Sequence, residues 1–226
     1  QKEIFEQPTV VAQTLGSYLR QSDNSVALPQ FDFDISSVRR ITIVACGTSF
    51  YAGMVAKYWF EQFARVPVDI DVASEFRYRE PVFEEGGLAL FISQSGETAD
   101  TLAALDEARA RGASTMGIVN VVGSSIARKT DFGIYLHAGP EIGVASTKAF
   151  TSQILALALF TLYMGRRRHL SILQGRELVA ALQEFPDQVE QALALEPVTR
   201  ELAAEYGDAR NYLYLGPGSQ FPVAPE

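Results

Sequence analysis

Five consecutive apolar residues, Leu88-Ala89-Leu90-Phe91-Ile92, constrain the fold of this chain more than any other stretch. A continuous apolar run of this length is typical of a strand that is buried on both faces, and such strands occur in parallel sheets covered by helices. After the run, Ala99, Leu102, Leu105 and Ala108 recur every three residues, which predicts a helix. The sequence here therefore predicts a buried strand, a turn and a helix.

Other segments of β-branched and apolar residues predict four more strands, at 40–45, 68–72, 115–119 and 133–136. The segment 68–72 alternates apolar and acidic residues, so we expect it at the edge of the sheet or half exposed. Helical patterns separate these strands at the spacing of βαβ units. The sequence therefore predicts an α/β fold, in which a central parallel sheet lies between two layers of helices.

Two short turns rich in hydroxyl groups follow two of the predicted strands. They are Cys46-Gly47-Thr48-Ser49 and Ser93-Gln94-Ser95-Gly96-Glu97-Thr98. Each leads into a helix, where free backbone N–H groups and the positive end of the helix dipole favour an anion. One serine would suffice to cap a helix, and a capped helix with no ligand is the alternative interpretation. Because ligands bind at the carboxyl ends of parallel strands, the two turns predict one phosphate-binding site.

Composition excludes several classes of partner. The net charge of −8 argues against nucleic acid or an anionic membrane as the main partner. Cys46 is the only cysteine, so no intrachain disulfide is possible, and a reducing cytoplasm is the expected compartment. The first residues do not resemble a signal peptide. The longest apolar segment, 154–164, is too short to span a membrane and predicts a buried core helix.

Other candidate chemistry is weaker. Cys46 is a candidate nucleophile, but a structural thiol at the end of a strand is the favoured interpretation. His137 is a candidate base, although a lone histidine is more often structural. No cluster of side chains has the spacing of metal ligands, and the glycine-rich motifs for dinucleotides and for P-loop nucleotides are absent. We therefore expect no cofactor and no metal, and a small monophosphate rather than a nucleotide.

The two turns resemble those of the sugar isomerase (SIS) domain family, whose fold is an αβα sandwich of flavodoxin-like or Rossmann-like type. Three more stretches, 1–8, 73–79 and 141–150, make the resemblance more specific and extend it over essentially the whole chain. They resemble members of the family that transfer glutamine-derived ammonia to fructose 6-phosphate and isomerise the product to glucosamine 6-phosphate, a precursor of amino sugars and cell walls. The resemblance therefore implies a hexose 6-phosphate as ligand.

The resemblance also implies which residues bind that ligand. They are Thr48, Ser49, Ser93, Gln94, Ser95, Thr98, Val144 and Ser146. The residues of the two turns would hold the phosphate, except that Thr48 would contact the sugar and the loop at 144–146 would close over its other end. The catalytic lysine, glutamate and histidine of those enzymes belong to later motifs, so we expect no catalytic residue in this chain. A preceding glutaminase domain, a second SIS domain and a homodimer are the implied partners.

The predicted organisation has four parts. Residues 1–36 lead into the first SIS domain at 37–170, a helical linker follows at 171–209, and 210–226 would begin a second SIS domain that is cut short, with a strand at 211–215. Apolar positions predicted to face a core in the linker are Leu178, Leu182, Val189 and Leu193. Other SIS proteins remain alternatives, namely a ketosamine-phosphate deglycase, an aldose–ketose isomerase or a sugar-phosphate-sensing regulator.

Overall fold

The chain begins with helices and a small hairpin before it enters the central sheet. The structure is a computed structural model and describes residues 1–20, 22–29, 31 and 33–224. The first elements are α1 (Lys2–Phe5), α2 (Gln7–Tyr18), the antiparallel pair β1 (Leu19–Arg20) and β2 (Ser25–Val26), and a 3₁₀ turn at Ile35–Ser37. Pro8 lies in the first turn of α2, where its missing N–H costs no hydrogen bond.

Five parallel strands form the central sheet. They are β3 (Arg40–Ala45), β4 (Val68–Val72), β5 (Gly87–Ser93), β6 (Ser114–Val119) and β7 (Phe132–Tyr135), in the spatial order β4-β3-β5-β6-β7. All five predicted strands are confirmed, and none of their bounds differs from the prediction by more than one residue. β5 is one residue longer than predicted at each end, from Gly87 to Ser93. The acidic strand β4 lies at one edge of the sheet, as its alternating pattern predicts.

Helices cover both faces of the sheet. They are α3 (Gly47–Trp59, continued by a π-helical turn at Phe60–Ala64), α4 (Ala73–Phe76), α5 (Ala99–Ala110), α6 (Ser125–Lys129) and α7 (Lys148–Arg168). Apolar side chains of α2, α3 and α7 pack on one face and those of α4, α5 and α6 on the other. The predicted three-layer αβα sandwich is therefore confirmed.

The apolar segment 154–164 lies inside α7 and is largely buried, as predicted. α7 packs against α2 and α3 on one face of the sheet. Among the residues that the structure describes, no helix combines the length and the apolar character that crossing a membrane requires.

Three helices follow the sheet, α8 (Ile172–Gln183), α9 (Phe185–Leu193) and α10 (Glu196–Glu205). α8 starts with a capping box, in which the Ser171 hydroxyl accepts from the Gln174 N–H and the Gln174 amide accepts from the Ser171 N–H. Two of the predicted core positions of this segment, Leu178 and Leu182, are half-buried and pack against the apolar core, while Val189 and Leu193 are half-buried. The prediction missed Val179, which is buried together with Leu162 and Leu170.

The predicted strand at 211–215 is wrong. These residues form no strand, and Tyr212, Leu213, Tyr214 and Leu215 are exposed. In the part of the chain that the structure describes, no neighbouring strand is available to pair with their backbone groups, and a strand is stable only when these groups are paired. A 3₁₀ turn at Gly218–Gln220 follows, and residues 225 and 226 lie outside the described residues. The four-part organisation stays a prediction.

Two matched substitutions test this account of the fold. Leu90 is fully buried in β5, so Leu90→Ala should lower the free energy of unfolding by about 2–5 kcal/mol through lost burial and a residual cavity. Leu213 is 83% exposed, so the same substitution there should change it by less than about 0.5 kcal/mol. Urea unfolding followed by circular dichroism measures both. A large loss for Leu213→Ala would show that segment 211–215 is packed in a sheet.

Candidate sugar-phosphate site

The candidate site lies where the order of the strands reverses. β4 lies on one side of β3, while β5, β6 and β7 follow on the other side. The loops that leave β3 and β5 therefore turn to opposite faces of the sheet and leave a crevice between them, which is where ligands bind in open α/β sheets. The two hydroxyl-rich turns are these two loops. The prediction that both turns lie together at the carboxyl ends of the parallel strands is thus confirmed.

Hydroxyl groups organise the turn after β5. The Ser93 hydroxyl accepts a hydrogen bond from the Gly96 N–H at 3.0 Å and lies 3.1 Å from the Thr98 hydroxyl. The Ser95 hydroxyl accepts from the Glu97 N–H at 3.1 Å. Thr98 is the N-cap residue of α5, but its side chain makes no capping bond. The hydroxyls therefore shape the turn and are not used as a helix cap, which argues against the capped-helix alternative.

The loop between β6 and α6 fixes this turn from behind. The Gln94 carbonyl accepts from the Asn120 N–H at 3.1 Å, and the Gly96 carbonyl accepts from the Ile126 N–H at 3.0 Å. The Glu97 carboxylate accepts from the Ser125 N–H at 2.7 Å. Hydrogen bonds from the Ser125 hydroxyl and N–H lower the pKa of Glu97. The carboxylate therefore stays charged and continues to accept these hydrogen bonds.

The turn after β3 presents Thr48 and Ser49 in the first turn of α3. Gly47, with φ of +53°, lets the chain enter the helix directly from the strand. Ser49 is 8% exposed, and its hydroxyl oxygen accepts a hydrogen bond from the Gln153 side chain of α7 at 2.9 Å. The Ser49 hydroxyl can therefore donate its own hydrogen to a ligand. The sequence alone gave no reason to pair Gln153 with Ser49, because they are 104 residues apart.

The loop before α7 forms the third wall. Glu141 caps this helix, because its carboxylate accepts from the N–H groups of Thr147 at 2.9 Å and Ala149 at 3.1 Å. The same carboxylate accepts from the Ser146 hydroxyl at 2.9 Å. Thr147 occupies the N-cap position, but neither its hydroxyl nor that of Ser146 caps the helix. Glu141, five residues before Ser146, caps the helix instead.

These three segments enclose one cavity of about 190 Å³. All eight residues predicted to bind substrate line it, namely Thr48, Ser49, Ser93, Gln94, Ser95, Thr98, Val144 and Ser146. Cys46, Ile92, Thr101, Glu141 and Gly143 complete the lining. The structure thus brings the eight together, and their binding of a ligand stays a prediction.

The lining of the cavity suits an anion with several oxygen atoms. None of the described residues that line it is a lysine or an arginine, so an anion would rely on hydroxyls, backbone N–H groups and the N-terminal ends of α3 and α5. Glu141 is the acid in the lining, and three hydrogen bonds already occupy its carboxylate. Thr101 is 1% exposed, and its hydroxyl has no hydrogen-bond partner in the structure.

The other candidates from the sequence have different surroundings. His137 lies outside the cavity, and its Nε2 is 3.2 Å from the hydroxyl of Tyr18, whose pKa is raised by burial. Cys46 is half-buried at the end of β3 and lines the cavity. Within residues 1–20, 22–29, 31 and 33–224, no three His, Cys, Asp or Glu side chains lie close enough together to hold a metal ion.

Comparison with known proteins defines the class of this chain. The SIS domain profile matches residues 34–163, more than half of the sequence. The chain therefore belongs to the SIS domain family.

Individual relatives narrow the comparison. The chain is 57% identical over its whole length to a glutamine–fructose-6-phosphate aminotransferase (isomerizing) of Zymomonas mobilis and 45% identical to that of Thermus thermophilus. It spans 37% of the length of these relatives. Among solved structures, it resembles the C-terminal domain of glucosamine-fructose-6-phosphate aminotransferase from Francisella tularensis, with a TM-score of 0.94 and 41% identity over 99% of this chain and 64% of that one.

Two glycines with similar backbones test the geometry of the turn. Gly96 has φ of +66°, and a Cβ there would lie 2.6 Å from the Ser124 Cβ, whereas Gly123 has φ of +72° and open space around it. Gly123→Ala should therefore cost about 1–2 kcal/mol of folding free energy from backbone strain alone. Gly96→Ala should cost a further 1–3 kcal/mol or so, because the turn must move away from α6. Equal losses in urea unfolding would contradict the close approach of Gly96 to Ser124.

Proposed function

We propose that this chain is the sugar-phosphate-binding part of an enzyme that makes glucosamine 6-phosphate from fructose 6-phosphate and glutamine-derived ammonia. The observation that carries the proposal is the convergence of the two hydroxyl-rich turns and the loop at 144–146 on one cavity at the switch point of the sheet. The names of the aminotransferases that the chain matches over its whole length support the choice of glutamine and fructose 6-phosphate.

The phosphate end of the ligand would lie between the two turns. Ser49, Ser93, Ser95 and Thr98 would offer hydroxyl donors, and Gln94 would offer its amide. Backbone N–H groups at the starts of α3 and α5 would add further donors, and the two helix dipoles would favour the negative charge. Hydrogen bonds to a charged phosphate are stronger than neutral ones, so a site without a cation can still hold it.

The sugar end would extend toward the loop before α7. Thr48 lies on the α3 side of the cavity, and Val144 and Ser146 lie on the loop side. Val144 is fully exposed, so a ligand that contacts it would remove apolar surface from water. We propose no catalytic residue in this chain, since the lining offers binding groups and the proton transfers would be carried out by other parts of the parent protein.

The same proposal covers the organisation of the parent protein. A glutaminase domain and a second SIS domain would accompany the first SIS domain at 37–170, and the parent chain would act as a homodimer in the cytoplasm. The 37% share of the relatives' length leaves room for both domains. The single cysteine is in keeping with a reducing compartment.

Titration with fructose 6-phosphate tests the proposal. In ¹⁵N-labelled protein, the amide signals of residues 47–49 and 93–98 should shift with a common dissociation constant, while fructose without phosphate should leave them unchanged. Ser95→Ala should weaken binding by about tenfold or more, because it removes a hydrogen bond to a charged group. Ser17→Ala, an exposed serine of α2, is the matched control and should bind normally. Signals that do not move at any attainable concentration would contradict the proposal.

A further inference from the structure

The loop between β7 and α7 is held at three places by side chains. At its start, the Asn120 side chain donates to the Gly139 carbonyl at 2.7 Å and accepts from the Ala138 N–H at 2.9 Å. At its end, Glu141 binds the first turn of α7. The middle of the loop is held by Glu3, which lies 139 residues before Ile142 in the sequence.

Glu3 binds the backbone of the loop next to the cavity. Its carboxylate accepts from the Ile142 N–H at 2.6 Å and from the Gly143 N–H at 3.1 Å. Gly143 lines the cavity, and so does the following residue, Val144. A side chain at position 143 would crowd the carboxylate, because its Cβ would lie 2.7 Å from Glu3 Oε2. Hydrogen bonds from Ile142 and Gly143 lower the pKa of Glu3, as expected for a carboxylate that holds two N–H groups.

The segment that carries Glu3 is itself fixed to the start of α7. Glu6 pairs with Lys148 at 2.7 Å, and the Lys148 side chain is 4% exposed. The Gln7 side chain accepts a hydrogen bond from the Thr151 hydroxyl. A buried charge that loses its partner is costly, so the pair between Glu6 and Lys148 resists separation. The N-terminal segment that carries Glu3 is therefore attached to α7, and α7 is also the helix that follows the loop.

We propose that Glu3 is a positioning residue for the sugar end of the ligand, because it holds Gly143 and Val144 at the wall of the cavity. This inference rests on the proposed function. Residues 144 and 145 lie between the part held by Glu3 and the helix start held by Glu141. Without Glu3, the middle of the loop would lose its two hydrogen bonds and could move away from the cavity. Ser93, Ser95 and Ser49 accept their hydrogen bonds from Gly96, Glu97 and Gln153, so these contacts of the turns after β3 and β5 do not depend on Glu3 and would stay in place.

Two ligands and three variants test the inference. Glu3→Ala should weaken binding of fructose 6-phosphate by about tenfold, and Glu3→Gln by about threefold, because a neutral amide oxygen still accepts a hydrogen bond but more weakly. Both variants should bind inorganic phosphate as the unaltered chain does, since phosphate alone does not reach the loop. Glu201→Ala removes an exposed acid of α10 and should bind both ligands normally. Isothermal titration calorimetry measures these affinities.

Amide hydrogen exchange provides a readout that a general loss of stability would not reproduce. In Glu3→Ala, the amides of Ile142 and Gly143 should exchange faster, while those in the core of β5 should keep their rates. Unchanged exchange at 142 and 143, or equal affinities of Glu3→Ala and the unaltered chain for fructose 6-phosphate, would overturn this inference alone. An unaltered chain that binds no fructose 6-phosphate would overturn the proposed function and this inference with it.

Discussion

The burial of β5 on both faces is the constraint on which the rest of the structure depends. Leu88, Leu90 and Ile92 point to the helices on one side, and Ala89 and Phe91 point to those on the other. The same strand is hydrogen-bonded to β3 and β6 along its length. One strand thus joins two apolar cores and two neighbouring strands. Its last residue is Ser93, so the central strand of the sheet ends in the candidate site.

This arrangement addresses an electrostatic problem. The chain has a net charge of −8, and the cavity has no lysine or arginine among its described lining residues. Fixed dipoles can replace side-chain charges when they are aligned before the ligand arrives, because their orientation then costs nothing on binding. The starts of α3 and α5 meet this condition, since a buried strand precedes each of them and restricts its direction. The nearby acid Glu141 does little to oppose an anion, because N–H and hydroxyl donors surround its carboxylate.

Local sequence patterns were enough to predict the sheet and most of the site. Strands such as 88–92 and 40–45 could be found from their apolar runs, and the topology of parallel sheets then placed the turns at 46–49 and 93–98 at one edge. The position of Val144 came from the family resemblance, since nothing in its own residues indicates a ligand. Contacts between residues that are far apart in the sequence could not be predicted. The bond from Gln153 to Ser49 and the bonds from residues 142 and 143 to Glu3 have no local signal. The wrong strand at 211–215 has the same cause, because a strand pattern does not say whether a partner strand exists.

The attachment of the first helices to the last helix of the sandwich has a consequence for the order of events during synthesis. α2 packs on α7, and Glu6 is the partner of the buried Lys148, so α2 cannot reach its final place until about 140 further residues have been made. At typical rates of translation of about 5–20 residues per second, this wait lasts roughly 7–30 s. During that time the apolar face of α2, with Val10, Val11 and Leu15, has no final partner on α7. α2 therefore becomes native only after α7 has been made, and the nascent chain must stay free of aggregation while the apolar face of α2 is unprotected.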